Sequence, residues 1–282
     1  MNAHNRIGTA RSFLFVPGDR PDRFRRALDS EADCVVVDLE DAVAPAAKDA
    51  ARAHVRALLN RPVPRKPVIV RINSPSTPPG AADVAALSTG TRPAGVMVPK
   101  ADSPAELAEL GHRLGANVAL LPLVETAAGL IAAPQIAALP GVARLALGHL
   151  DLAAELGIDP ADENRLAPAR FALAVASAAA GLPAPVDGVS TEVRALSRVE
   201  TATRHSVAAG FTARLCIHPD QVRPVHTGLL PPADELTWAR SVLGAARDGD
   251  VAVVDGQMVD RPVLLRARAV LARAAEPTGS NG

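Results

Sequence analysis

The chain has 282 residues, 48% of them hydrophobic, with 30 Lys plus Arg against 30 Asp plus Glu. That length supports a sizeable core in one or two domains, and the zero net charge gives no basic surface for nucleic acid or an acidic membrane. Five Phe, one Trp and no Tyr are too few aromatics for base- or sugar-stacking platforms. The opening MNAHNRIGTARS lacks the apolar stretch of a signal peptide, and no segment is long and apolar enough for a membrane span. Cys34 and Cys216 both lie in apolar, strand-like runs and read as reduced core residues, as expected of a cytoplasmic protein.

Short apolar runs alternate with helical patterns from the start. SFLFVPG (12–18) reads as a strand and PDRFRRALDS (21–30) as a helix with Pro in its first turn. CVVVDLE (34–40), PVIVRIN (67–73), GVMVPK (95–100) and NVALLPLVE (117–125) are strand-like, each followed by a helical pattern. VARLALGHLD (142–151), APVDGVS (184–190) and RLCIHP (214–219) complete a set of eight. Several are near-continuous Val/Leu/Ile runs, as in strands covered on both faces. Eight βα repeats in about 220 residues fit an α/β fold of the (β/α)8 TIM barrel type better than an open sheet. No GxGxxG or GxxxxGK[ST] stretch supports a nucleotide-binding alternative.

The barrel is expected over residues 1–225. Residues 226–282 form a helical and hairpin extension, comprising helical 231–248, hairpin-like VAVVDGQMVDRP and helical VLLRARAVLARAA. It is too small to stand alone and is expected to pack on the barrel or on a neighbouring subunit. The tail AAEPTGSNG reads as frayed.

A barrel requires its functional groups at the C-terminal strand ends, and polar residues do cluster there. Asp38, Glu40 and Asp41 follow strand two, Arg71 and Asn73 strand three, and Lys100 strand four. Glu125 follows strand five, Asp151 strand six and His218 strand eight. Glu125 and Asp151, on adjacent strands, suit a hard cation such as Mg²⁺, which often takes one or two carboxylates and completes its shell with water and substrate. They equally suit a helix cap and a first-turn acid. Arg71 is placed to grip a substrate carboxylate bidentately, or to pair internally with Asp38, Glu40 or Asp41. Asp38 and Glu40 are candidates for bracing that cation site from behind, and Lys100 for a supporting charge. His218, before Pro219, reads as a hydrogen-bonded corner rather than a catalyst. Arg20 and Arg23 are placed either to hold phosphates or to begin a capped helix.

FLFVPGDRPDRF, VVVDLEDAV, VIVRIN, VMVPKAD, LVETAAGL, LCIHPDQV and GQMVDRPVL, in that order from about residue 11 to 275, resemble the citrate lyase β-subunit-like (CitE-like) branch of the HpcH/HpaI aldolase family. The resemblance implies a trimeric or hexameric (β/α)8 barrel using Mg²⁺, with Mn²⁺ as a substitute. Its chemistry is carbon–carbon lyase or Claisen-type, on acyl-CoA or acyl-carrier thioesters. It implies that Glu125 and Asp151 are metal ligands, with Glu125 also facing the substrate, and that Arg71 contacts the substrate carboxylate. Asp260 would transfer a proton, reaching a neighbouring subunit's site. One departure is evident: the family's G-A-E-D-L reads Gly148-His149-Leu150-Asp151-Leu152 here, so the ligand survives while the glutamate before it is lost. The region DGVSTEV is also less acidic than the family pattern. The expected activity is cleavage of a β-hydroxyacyl thioester, of the citryl-, malyl- or citramalyl-CoA kind, to a 2-oxo acid and an acyl-CoA. The alternatives are an aldolase acting on free 4-hydroxy-2-oxo acids and a non-catalytic subunit of a larger lyase complex.

Overall fold

Eight parallel strands close on one another in chain order: β1 (Ser12–Pro17), β2 (Cys34–Asp38), β3 (Val68–Arg71), β4 (Gly95–Val98), β5 (Ala119–Val124), β6 (Ala146–Leu147), β7 (Val186–Asp187) and β8 (Ala213–Cys216), with β8 pairing back to β1. The structure, a computed structural model, describes residues 3–61, 66–90, 92–245, 253–254 and 257–274. Helix α1 (Ala3–Thr9) precedes the barrel; α2 (Pro21–Asp29), α3 (Lys48–Leu59), α4 (Pro78–Leu87), α5 (Pro104–Leu114) and α6 (Ala127–Ala137) follow β1 to β5. Two helices, α7 (His149–Leu156) and α8 (Glu163–Ala179), link β6 to β7, and α9 (Leu196–Ala208) links β7 to β8. The chain forms a (β/α)8 barrel.

Side-chain period two decides what the barrel contains. Phe13, Cys34, Val36, Ile69, Met97, Ala119, Leu121, Leu123, Ala213 and Leu215 fill the interior as one buried cluster. The same register, carried two residues further along three strands, brings Asp38, Arg71 and Glu125 to the open end. The barrel's other end is closed by α1, whose Ile7 is fully buried. Arg144 sits beside it, donating to the carbonyls of Ala10 at 2.6 Å and Ala184 at 2.5 Å and to Thr212 Oγ1 at 2.6 Å. Its guanidinium is satisfied without a carboxylate, which is what an isolated buried cation requires. Sequence periodicity gives no hint of α1, because seven mostly polar residues carry no helical signal and fold only against the barrel floor.

The sixth strand departs from expectation. The run 142–151 reads as one strand, but only Ala146–Leu147 is ladder, and the backbone turns at Gly148 into α7. An unbroken apolar run hides the point where period two gives way to 3.6. The stretch that follows holds two helices, α7 and α8, separated by residues 157–162.

By its internal contacts the chain divides into two units, residues 1–225 and 226–282. The second contains the end of α10 (Val222–Leu229), then α11 (Ala233–Ala245), the antiparallel pair β9 (Val253–Val254) and β10 (Gln257–Met258), and α12 (Arg261–Ala274). Ala239, Val242, Ala267 and Val270 form its buried centre, with the Arg266 guanidinium 4.6 Å from the Trp238 ring centre. The turn of the GQMVD hairpin and the tail from residue 275 lie outside the described residues. Among the described residues no helix is long and apolar enough to cross a membrane.

Candidate active site

A cavity of about 400 Å³ opens at the C-terminal strand ends. Phe15, Leu123, Leu147 and Leu215 give it an apolar base; Asp38, Asp41, Arg71, Glu125 and Asp151 give it a polar wall.

Arg71 ends β3 with its inward register. Its Nε donates to Asp38 Oδ1 at 2.7 Å and its Nη2 to Asp38 Oδ2 at 2.6 Å, a bidentate pair held 4.9 Å from the Phe15 ring centre. The internal pairing weighed against a substrate clamp is therefore present. Nη1 lies 3.0 Å from Glu40 Oε2, which accepts no hydrogen bond, and 3.6 Å from Asp41 Oδ2, beyond hydrogen-bond distance. The edge of the guanidinium formed by Nη1 and the second N–H of Nη2 thus keeps donors in reserve. Burial opposes the charge on Arg71, but Asp38, Glu40 and Asp41 outweigh it and raise its pKa.

The acidic loop behind Arg71 is fixed on several sides. Asp38 accepts from the N–H groups of Glu40 at 2.9 Å and Ala42 at 3.0 Å; Lys48 Nζ donates to the carbonyls of Leu39 at 2.8 Å and Glu40 at 3.0 Å. Asn73 Nδ2 also holds the Leu39 carbonyl, at 2.9 Å. Glu40 is buried; its Oε1 accepts from Lys100 Nζ at 3.3 Å, while Oε2 has no hydrogen-bond partner. Burial raises the Glu40 pKa, Arg71 opposes this, and Asp41 adds to it.

Glu125 directly follows β5, and Thr126 then caps α6, accepting from the Gly129 N–H at 3.0 Å. Lys100 is the one described non-glycine residue with positive φ, 48°. Such a conformation is strained, and it aims the Lys100 N–H at Glu125 Oε1, 2.8 Å away. On its other side Glu125 lies against Gly148, where a Cβ would fall 2.5 Å from Glu125 Cβ and 2.6 Å from Oε2. Burial, reinforced by the charges of Glu40 and Asp151, pushes the Glu125 pKa up to about 8 despite the Lys100 N–H. Lys100 itself is half exposed; burial lowers its pKa, and Glu40 and Glu125 more than reverse that.

Asp151 is exposed on the cavity wall. It does not end a strand, as the sequence suggested, but lies in the first turn of α7. Five carboxylates (Asp38, Glu40, Asp41, Glu125 and Asp151) thus share the mouth with Arg71 and Lys100. A buried glutamate carboxylate held beside a free aspartate, in net acidic surroundings, suits a divalent cation, which would favour the ionised form that burial disfavours. Among the described residues no three or more His, Cys, Asp or Glu gather as ligands. A two-carboxylate donor set fits a hard ion that keeps several waters.

A family model described as HpcH/HpaI aldolase/citrate lyase matches residues 11–219. The chain belongs to this family. The citrate lyase subunit beta-like protein of Mycobacterium tuberculosis (strain CDC 1551 / Oshkosh) is 39% identical over 273 residues, covering 94% of this chain and 96% of that protein. A (3S)-malyl-CoA thioesterase of Cereibacter sphaeroides (strain ATCC 17025 / ATH 2.4.3) is 32% identical, covering 94% of each. The crystal structure of M. tuberculosis CitE in complex with magnesium, acetoacetate and coenzyme A is 37% identical and superposes with a TM-score of 0.84, covering 95% of this chain and 99% of that one. HpcH/HpaI relatives of these kinds mark a coenzyme A-related lyase family.

Within this HpcH/HpaI barrel, then, Asp38, Glu40, Arg71, Lys100, Glu125 and Asp151 form one connected site. His218 makes the corner expected of it: Nδ1 accepts from the Asp220 N–H at 3.2 Å, and Gln221 Oε1 returns to the His218 N–H at 3.2 Å. Arg20 pairs with Asp22 at 3.0 Å on the exposed start of α2. Cys34 and Cys216 are free and buried, and burial pushes the Cys216 thiol up to about 12. Asp260 belongs to the second unit; it is exposed, and its Oδ1 accepts from the Val263 N–H at 3.1 Å at the start of α12. Sequence reading overlooked two residues, Gly148 and His149. Both stand in the stretch quoted for Asp151, but no role was read for them, because their contacts to Glu125 and Gly188 come from other strands.

Gly148→Ala tests the seating of Glu125. The new methyl group has no space beside Glu125, so the carboxylate must shift. Affinity for a divalent cation is expected to fall roughly tenfold to a hundredfold, with about 1–3 kcal/mol lost in stability. Calorimetric titration and thermal melts measure both, and unchanged cation affinity would show that Glu125 is not a ligand.

Proposed function

We propose that the chain is a magnesium-dependent carbon–carbon lyase, cleaving a β-hydroxyacyl-CoA of the citryl-, malyl- or citramalyl-CoA kind to a 2-oxo acid and an acyl-CoA. The observation carrying this reading is Glu125, a buried carboxylate pinned by the Lys100 N–H and Gly148 beside the free carboxylate of Asp151. These two residues would hold Mg²⁺. When bound, the ion supplies a positive charge that polarises the oxygens of an oxo acid.

The chain's own groups account for the rest. Arg71, locked to Asp38 on one edge, presents its other edge to the substrate carboxylate without having to reorganise. Glu40 and Lys100 hold Arg71 and Glu125 in one network. A carboxylate of the mouth would take the β-hydroxyl proton as the carbon–carbon bond breaks; the hydroxyl carbon becomes the oxo acid's carbonyl, and the bonding pair leaves as a thioester enolate, which takes a proton at carbon. Asp260 or a water it holds would donate that proton, in a homo-oligomer that is trimeric or hexameric.

The test is to incubate purified protein and Mg²⁺ with citryl-, malyl- and citramalyl-CoA, monitoring oxo acid and acyl-CoA together. Equal release of the two is expected from at least one substrate, with Asp260→Asn slowing it. Release of free coenzyme A and the intact hydroxy acid would replace lyase with thioester hydrolysis. Turnover of free 4-hydroxy-2-oxo acids alone would make it an aldolase.

A further inference from the structure

His149 is the buried polar side chain of the cavity wall to which the proposed lyase chemistry gives no task. It is 7% exposed, lines the cavity beside Leu147, Leu150 and Val189, and begins α7. An imidazole ring carries at least one N–H. Which nitrogen carries it follows from packing. Nδ1 is sealed from solvent with no hydrogen-bond partner. It faces Gly188 so closely that a Cβ there would lie 2.0 Å from Nδ1 and 2.8 Å from Cε1. The hydrogen that glycine carries in that direction occupies the space an Nδ1–H would need, whereas a ring lone pair accepts a C–H neighbour. The proton therefore belongs on Nε2.

This contact is held from behind. Asp187, fully buried, accepts from the Gly188 N–H at 2.9 Å, from Ser206 Oγ at 2.5 Å and from Arg170 Nε at 3.2 Å, and Arg214 Nη1 lies 3.6 Å away. Gly188 cannot retreat, so the ring is fixed with Nε2 as its remaining polar atom. No described residue accepts from Nε2, and the cavity is the space open to it. A fixed donor with no partner in the protein is placed to meet an acceptor that enters the cavity.

We propose that His149 Nε2–H donates a hydrogen bond to an oxygen of the bound 2-oxo acid and so positions it. The acid is favoured over the thioester because a side chain this buried is reached by the small part of the substrate that enters deepest. The proposal rests on the oxo-acid reading of the site.

The test titrates pyruvate into Mg²⁺-loaded wild type, His149→Phe and His149→Gln. Phe keeps the ring and removes the donor; Gln returns an amide N–H₂ close to the place of Nε2. Phe should weaken pyruvate binding about tenfold or more, as for a hydrogen bond to a charged acceptor, with Mg²⁺ affinity unchanged; its ring C–H meets Gly188 where Nδ1 did, so the melting temperature should fall while the variant still folds. Gln should stay within about threefold of wild type. In ¹⁵N NMR of the free wild type, assigned by comparison with His149→Gln, Nε2 should be the protonated nitrogen, and its proton should shift when pyruvate binds. Undiminished binding by a folded Phe variant, Gln as weak as Phe, or a proton on Nδ1 would each overturn the role of His149 alone. Wild type that binds Mg²⁺ but no pyruvate would overturn the oxo-acid reading along with it.

Discussion

Glu125→Gln is expected to remove most activity while making the metal-free protein more stable. Gln can still accept from the Lys100 N–H through its oxygen, so the local hydrogen bond survives. It cannot present an anionic oxygen to a cation. If that charge supplies several kcal/mol of transition-state stabilisation, turnover should fall at least about a hundredfold. The stability gain has a defined pH dependence. Folded, Glu125 keeps its proton up to about pH 8; unfolded, it releases it near about pH 4.3. Between those values folding takes up a proton, so wild-type stability falls as pH rises across the window, and the full penalty is present above it. The variant lacks this term. Its advantage should grow from pH 5 to 9 and reach on the order of a few kcal/mol, or roughly 5 °C or more in melting temperature. Saturating Mg²⁺ should stabilise wild type and not the variant. Melts across pH with and without Mg²⁺ provide the check, and a variant that retains wild-type turnover at limiting Mg²⁺ would remove Glu125 from the metal site.

Arg71 should show the opposite combination, with loss of both activity and stability. Arg71→Ala leaves Asp38 buried without its cation and Glu40 without its nearest positive charge, a disruption of about 3–5 kcal/mol. Adding Asp38→Asn should restore part of it, because the charge left unpaired is then gone. Arg71→Lys separates charge from geometry. A single ammonium cannot hold both Asp38 oxygens while presenting a second edge to the substrate. At least a tenfold fall in kcat/KM, about 1.4 kcal/mol, is expected. Lys supporting wild-type kcat/KM would reduce Arg71 to a diffuse positive charge, and the clamp would be withdrawn.

The parts of the site readable in advance were those set by local pattern. Asp38, Arg71 and Glu125 each follow a short apolar strand, and period two alone carries such residues to the barrel mouth in the same register as Val36, Ile69 and Leu123. Lys100 was legible as a charge at a strand end, but its more consequential feature, an N–H turned toward Glu125 by a left-handed backbone, was not. The bidentate grip of Asp38 on Arg71 was one of two readings, and choosing between them needed the distance across two paired strands.

The sequence by itself determined the alternation of eight strands with helices, and with it the closed barrel, because strand and helix periods are local and eight such units leave few ways to bury both faces. It also determined the family, through seven ordered motifs. Only the tertiary structure decided where strand six stops and α7 begins, that α1 closes the barrel floor, and that Gly148 and Gly188 give Glu125 and His149 their seats. Those outcomes depend on contacts between residues up to more than a hundred positions apart, such as Arg144 with Ala10. No local period encodes a contact of that kind. Closure of the barrel creates it.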